Sequence, residues 1–176
     1  MLIQHIGMKP SAPPSNIVAC RPAHLVYLSE RMRDDEKAQF LAVTGHAEFS
    51  ADAALAWALG ALERSQGYAV TILCDDNLPA AAGGFHPVGP GVWQSWMLGT
   101  AEGWQQQWRS MTKITCWLMA KLLEQDAHRL QTSALTTRAK AIEWFERSLG
   151  FQPEGVARGY GINGESIANF SRLRGE

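Results

Sequence analysis

Apolar and polar positions follow two different periods along this chain, and the changes of period mark its elements. Tyr68-Ala69-Val70-Thr71-Ile72-Leu73-Cys74 is an apolar, β-branched run, the clearest strand signal present. Val92 to Thr100 alternates loosely and is rich in aromatic and branched residues, which predicts a second strand. A loop with Gly103 is expected next. Apolar residues then recur at Met111, Ile114, Leu118 and Leu122, at helical spacing. Leu130 to Leu135 reads as a short strand. Ala141, Ile142, Phe145 and Leu149 form one face of a helix for which Thr136 or Thr137 is the expected cap. Gly150 is placed to end that helix in the left-handed conformation, with Phe151 making the accompanying apolar contact.

The flanking segments fit the same scheme. Ile17 to Cys20 is a short strand, and Pro22 suits a first helical turn. Helical spacing then runs through Leu25, Leu28 and Met32, crosses the polar Arg33-Asp34-Asp35-Glu36, resumes at Phe40, Leu41 and Val43, and stops at Gly45. Ser50 caps an Ala-rich helix from Ala51. Asp75-Asp76-Asn77 is a turn, so the run from Ala80 to Phe85 should pair antiparallel with the strand before it. Strands around Val156 and from Ser166 to Leu173 close the chain, with the hairpin signal Asn163-Gly164 between them.

These elements predict an α/β fold with a mixed, mostly antiparallel central sheet. A parallel β-α-β unit sits at its centre, with a right-handed crossover and helices on both faces. One domain over residues 17–176 is expected after an irregular, Pro-rich arm over 1–16.

Composition narrows the function classes. Sixteen basic and seventeen acidic residues nearly cancel, which argues against a nucleic-acid or anionic-membrane partner. No apolar run is long enough to span a bilayer. Cys20, Cys74 and Cys116 are odd in number and far apart, which suits reduced thiols in a cytoplasmic compartment. The five histidines are scattered without metal-ligand spacing, so no metal is expected.

The element order, the Met32-Arg33 to Glu36 segment, the strand–loop–helix from Val92 to Leu122, and Ala141-Ile142 followed by Leu149-Gly150-Phe151 together resemble the GNAT acetyltransferase superfamily. The Trp-rich strand ending Trp96-Met97-Leu98-Gly99-Thr100 is similar to phage-encoded GNAT-like proteins. The resemblance implies acetyl-CoA as cofactor and an amine, on a small molecule or a protein, as acceptor. It implies that the central strand diverges from its parallel neighbour and that the thioester arm lies in the gap. Backbone groups of Met97, Leu98, Gly99 and Thr100 would pair with that arm. The diphosphate would lie over Gly103, Trp104 and Gln105, with Arg109 nearby. Glu36, with Arg33, is a candidate catalytic residue bordering the acceptor pocket, Glu102 is a candidate base, and Ser133 is a candidate proton donor.

The sequence departs from the family pattern in three places. The phosphate loop has a single glycine. Phe145 stands where the family commonly carries a thiolate-protonating tyrosine, and Ser133, Thr132 or Tyr160 are the hydroxyls available instead. The central strand has no carboxylate. A second reading therefore stands beside the first, a GNAT-fold accessory protein of a phage that binds a protein partner. The tryptophans and the terminal hairpin make a homodimer an expectation of either reading.

Overall fold

A computed structural model describes residues 16–175. The irregular arm expected over 1–16 lies outside the described residues except for Asn16.

A seven-stranded sheet runs in the order β1-β2-β3-β4-β5-β7-β6. Its strands are β1 (Ile17–Ala19), β2 (Ala69–Leu73), β3 (Pro79–Gly89), β4 (Val92–Gly99), β5 (Arg129–Leu135), β6 (Gln152–Ala157) and β7 (Ile167–Leu173). Every pairing is antiparallel except β4 with β5, which are joined by α4 (Ala101–Gln125). The strand–helix–strand centre and the antiparallel flanks are as the sequence predicts.

Three helices precede β2: α1 (Pro22–Glu30), α2 (Asp34–Thr44) and α3 (Ala51–Arg64). The helical spacing from Ala23 to Gly45 is thus two helices. Arg33 takes an extended conformation (φ −63°, ψ 148°) and the chain breaks there. The acidic residues Asp34, Asp35 and Glu36 fill the first turn of α2, where they complement the helix dipole. Ser50 caps α3, its side chain accepting from Ala53 N–H.

Alternation along the strands sends successive side chains to opposite faces. Val70, Ile72, Phe85, Trp93 and Leu130 meet Met111, Leu118, Leu122 and Trp144 on the α4 face. Ala82, Trp96 and Leu98 meet Leu25, Leu28, Phe40, Ala54 and Ala58 on the α1–α3 face. Each fully buried Leu removes enough apolar surface from water to stabilise the fold by roughly 1.5–3 kcal/mol. The tryptophans are divided between the faces of the sheet and the surface. Trp93, Trp104 and Trp117 pack with α4, Trp96 packs on the opposite face, and Trp108 is exposed.

After β5 a short α5 (Ala139–Glu143) continues as a π-helical turn, Trp144–Ser148. Arg138 rather than Thr136 or Thr137 precedes the helix, and no side chain caps it. Gly150 adopts the left-handed conformation (φ 71°), as expected. No helix of the described residues is long and apolar enough to cross a membrane.

Candidate functional site

The two parallel strands separate. Val92, Trp93 and Gln94 of β4 lie opposite Arg129, Leu130 and Gln131 of β5, and pairing stops there, although β4 runs on to Gly99 and β5 to Leu135. A side-chain bond, Ser95 Oγ to Thr132 Oγ1 at 2.7 Å, is the next link across the gap. Each strand stays paired on its other side, β4 with β3 and β5 with β7, so the splay does not cost either strand its ladder. The gap opens into a cavity of about 990 Å3.

Helix α2 spans the wide end of this gap with side chains. Gly99 N–H donates to Glu36 Oε2 at 2.9 Å, and Arg33 N–H donates to Gly99 O at 3.2 Å. On the other strand Ser133 O accepts from Gln39 Nε2 at 3.0 Å, and Leu135 N–H donates to Gln39 Oε1 at 3.2 Å. Four backbone groups at the far ends of β4 and β5, which a continuous ladder would pair, are therefore satisfied by α2 and its N-cap residue.

Glu36 is buried, and both Arg33 and Arg138 approach it. Arg33 donates from Nε at 3.2 Å and from Nη2 at 2.5 Å, and Arg138 Nη2 lies 4.0 Å away. Burial pushes the Glu36 carboxyl up from the usual carboxylate range, while Arg33, then Arg138 and the Gly99 N–H, oppose that rise. Arg138 also donates to Asp35 Oδ2 at 2.9 Å and to Gln39 Oε1 at 2.8 Å, fixing α2 to the start of α5. The Arg33 guanidinium lies 4.5 Å from the Trp104 ring centroid, a cation–π contact joining α2 to α4 across the gap.

The structure separates the residues expected to form the site. Glu36, Met97, Trp104, Gln105 and Ser133 line the cavity. Strand alternation turns the Met97 backbone toward the same edge as Gly99, where no strand lies opposite. The expectation of four consecutive free backbone positions gives way to this one. Leu98 faces β3, in register with Ala82, and its side chain is fully buried. Gly99 is held by Glu36 and Arg33. Thr100 N–H donates to Ala80 O at 3.0 Å, and its side chain and carbonyl cap α4 at Gly103 and Trp104.

No loop carries Gly103. Helix α4 begins at Ala101, with Thr100 as N-cap and Gly103 in the first turn, its N–H bound to Thr100 Oγ1 at 2.9 Å. A Cβ at Gly103 would lie 2.4 Å from the Ala80 backbone, so a close helix–strand approach accounts for the glycine. Glu102 is exposed in that first turn, and neither it nor Arg109 lines the cavity. Arg109 lies instead over the Trp108 ring, 5.3 Å from its centroid.

Thr132 and Ser133 do not share a face. Thr132 is buried and bonded to Ser95, and its neighbour in parity, Leu130, packs with α4. Ser133 has the parity of Leu135, which packs on Ala42 of α2. Tyr160 is exposed in the β6–β7 connection and reaches the same cavity, and Phe145 lines it from the π-helical turn. Gln39, Arg138 and His86 also line it, and sequence reading passed over all three. The partners of Gln39 and Arg138 are remote in sequence, so no local spacing announces them.

No protein-family model matches the sequence, and no curated protein is similar to it. Solved structures are similar in fold. A GNAT-superfamily phosphinothricin acetyltransferase from Sinorhizobium meliloti, in complex with acetyl-CoA, aligns with a TM-score of 0.69 at 14% identity, over 91% of this chain and 88% of that one. A GNAT-family acetyltransferase from Bacillus anthracis aligns with a TM-score of 0.66 at 12% identity, over 91% and 95%. RimL, a ribosomal L7/L12 alpha-N-protein acetyltransferase in complex with coenzyme A, gives 0.65 at 18% identity, over 92% and 96%. The divergent parallel pair, the helices on both faces and these alignments show that the chain has the GNAT acetyltransferase fold.

Proposed function

We propose that this chain is an acetyl-CoA-dependent N-acyltransferase acting on an amine. The observation that carries the reading is the early end of the β4–β5 pairing, which leaves a strand edge at Met97 inside a cavity of about 990 Å3. An extended pantetheine arm fits such an edge as an added strand would. The similar structures with acetyl-CoA and coenzyme A support the same cofactor. The first turn of the 25-residue α4 offers its N–H groups at Ala101 and Glu102 to the diphosphate. Trp104 and Gln105 lie beside it.

The thioester supplies the acetyl group. Met97 N–H polarises its carbonyl oxygen from the gap edge. Glu36, anchored at Gly99, stands two residues along the same strand, about 7 Å away at strand rise. That spacing leaves room for an acceptor nitrogen between them. Glu36 takes the proton that the amine loses as nitrogen bonds to the acyl carbon and the carbon–sulfur bond breaks. Ser133, on the α2 face, relays a proton from solvent to the departing thiolate, its hydroxyl gaining one as it gives one. Holding amine and thioester in one cavity supplies much of the acceleration.

The Trp-rich end of β4 supports a phage-encoded origin. Action in the cytoplasm follows from where acetyl-CoA is found. Exposed Trp108 and Val156 support a homodimer.

Thermal denaturation with acetyl-CoA tests the reading. Ligand at a hundredfold its dissociation constant stabilises the native state by about 2.7 kcal/mol. For a chain of this size that is a rise in Tm of roughly 5 °C or more. An unchanged Tm at millimolar acetyl-CoA would remove the proposal.

A further inference from the structure

We propose that the acceptor amine of this transferase carries a carboxylate, recognised by His86 and Arg64 where the cavity runs beneath α3. The inference rests on the transferase reading for the amine end only, because the anion site is argued from its own residues.

His86 is buried, with 9% of its surface exposed, and it lines the cavity. Its side chain makes no hydrogen bond among the described residues, and its Nδ1 is buried without a partner. A buried polar atom without a partner destabilises the fold. A ligand that bonds to the ring removes that cost. His86 lies opposite Gln94 in the β3–β4 register, and Gln94 has the parity of Trp96 and Leu98, which face α1 and α3. The ring is thus on the side of the sheet that α2 roofs with Glu36.

Arg64, in the last turn of α3, lines the same cavity and has no acidic partner among the described residues. Burial and the Arg64 charge both hold the His86 imidazole below its ordinary range. A neutral imidazole offers one N–H and Arg64 one full positive charge, a set suited to a monoanion. Gln94 and Gln131 bond to each other at 3.1 Å, so they add no charge to the floor. Both acids at the opposite end, Asp35 and Glu36, already face arginines. The cavity is therefore polarised, with base near α2 and unpaired cation near α3.

The spacing defines the ligand. His86 is level with Gln94, three strand positions from Met97, and the amine lies between Met97 and Gly99, so amine and carboxylate stand about 10–13 Å apart at strand rise. Between them Trp57 and Trp96 meet edge to face at 6.4 Å and form an apolar wall. An extended peptide of three or four residues with apolar side chains spans this distance between its amino and carboxyl ends, about 3.3–3.6 Å per residue.

The test uses tri-alanine and its C-terminal amide, titrated calorimetrically into the full chain with and without coenzyme A. The acid is expected to bind at least tenfold more tightly than the amide. Arg64→Met, at an exposed position that folding tolerates, should bring the two affinities together, and His86→Phe should weaken the acid alone. Equal affinity of acid and amide for the unaltered chain overturns the proposal, as does no binding of either under both conditions. An acetyl-CoA titration of the same preparation reads the transferase claim separately. If acetyl-CoA binds and the peptides are not distinguished, only the carboxylate site falls. If the acid is preferred and acetyl-CoA does not bind, the anion site stands and the transferase reading falls.

Discussion

Glu36 Oε2 accepts the backbone N–H of Gly99, two positions beyond the strand edge at Met97. This bond ties a buried carboxylate from α2 to the end of β4, 63 residues apart in sequence. It lets β4 leave β5 without exposing its last groups unpaired. The same carboxylate lines the cavity together with Met97.

Replacing Glu36 should therefore act on both stability and rate. Glu36→Ala leaves Arg33 facing an apolar methyl and Gly99 N–H unpaired, a loss of about 3 kcal/mol or more, read by denaturant unfolding. Glu36→Gln keeps an acceptor for Gly99 but cannot take a proton, so amine acetylation should fall by roughly 100-fold. The pH dependence has opposite signs for the two properties. Burial raises the folded carboxyl above its unfolded value. Its contribution to stability is therefore full below the unfolded pKa and is lost as pH rises through the folded one. The rate rises over the same interval as the base is freed. Glu36→Gln should flatten both profiles, and an acid limb that survives it would exclude Glu36 as the base.

Gln39 performs the equivalent service on β5, and its removal is a separate test. Gln39→Leu leaves Ser133 O and Leu135 N–H without their partners and frees Arg138 Nη1. A loss of about 1–3 kcal/mol is expected. Hydrogen exchange at the Leu135 amide should accelerate, while exchange in β2, on the far side of the sheet, keeps its rate relative to global unfolding.

These contacts mark where sequence reading stops. Tyr68 to Cys74 was legible as a strand because apolar, β-branched runs have few alternatives, and Gly150 because a left-handed residue after a helix favours glycine. The divergence of β4 and β5 followed from resemblance rather than from residues. Thr100 carried a readable capping signal, since threonine before Ala101-Glu102 suits an N-cap, but the isolated Gly103 drew the reading toward a loop. The break at Arg33 and the roles of Gln39 and His86 had no local signature. Each depends on a partner strand that only the folded chain brings near.

Gly103 separates the two explanations of that glycine. Gly103→Ala drives a methyl into the Ala80 backbone, and overpacking of this kind costs about 1–3 kcal/mol. The fall in Tm should be the same with and without acetyl-CoA. A variant with unchanged Tm and lost acetyl-CoA affinity would instead restore Gly103 to a phosphate-binding role.

Outside the cavity, Arg129 and Glu154 tie β5 to β6. Arg129 Nη1 donates to Glu154 Oε1 at 2.7 Å, a second guanidinium bond reaches Oε2, and Ser171 Oγ donates to Oε1 at 2.8 Å. The Arg129 hydrogen bonds, then Ser171, hold the Glu154 carboxyl down at about 2. A depressed folded value means that the pair supports the native state above the unfolded carboxyl range and loses that support as pH falls toward about 2. Glu154 is partly open to solvent, so screening limits its size. Carboxyl carbon NMR should show Glu154 still ionised at pH 3. Ser171→Ala should move its titration upward, and Glu154→Gln should make unfolding less sensitive to acid between the unfolded carboxyl range and about pH 2. An ordinary carboxyl titration in the unaltered chain would show that the bidentate contact does not persist in solution.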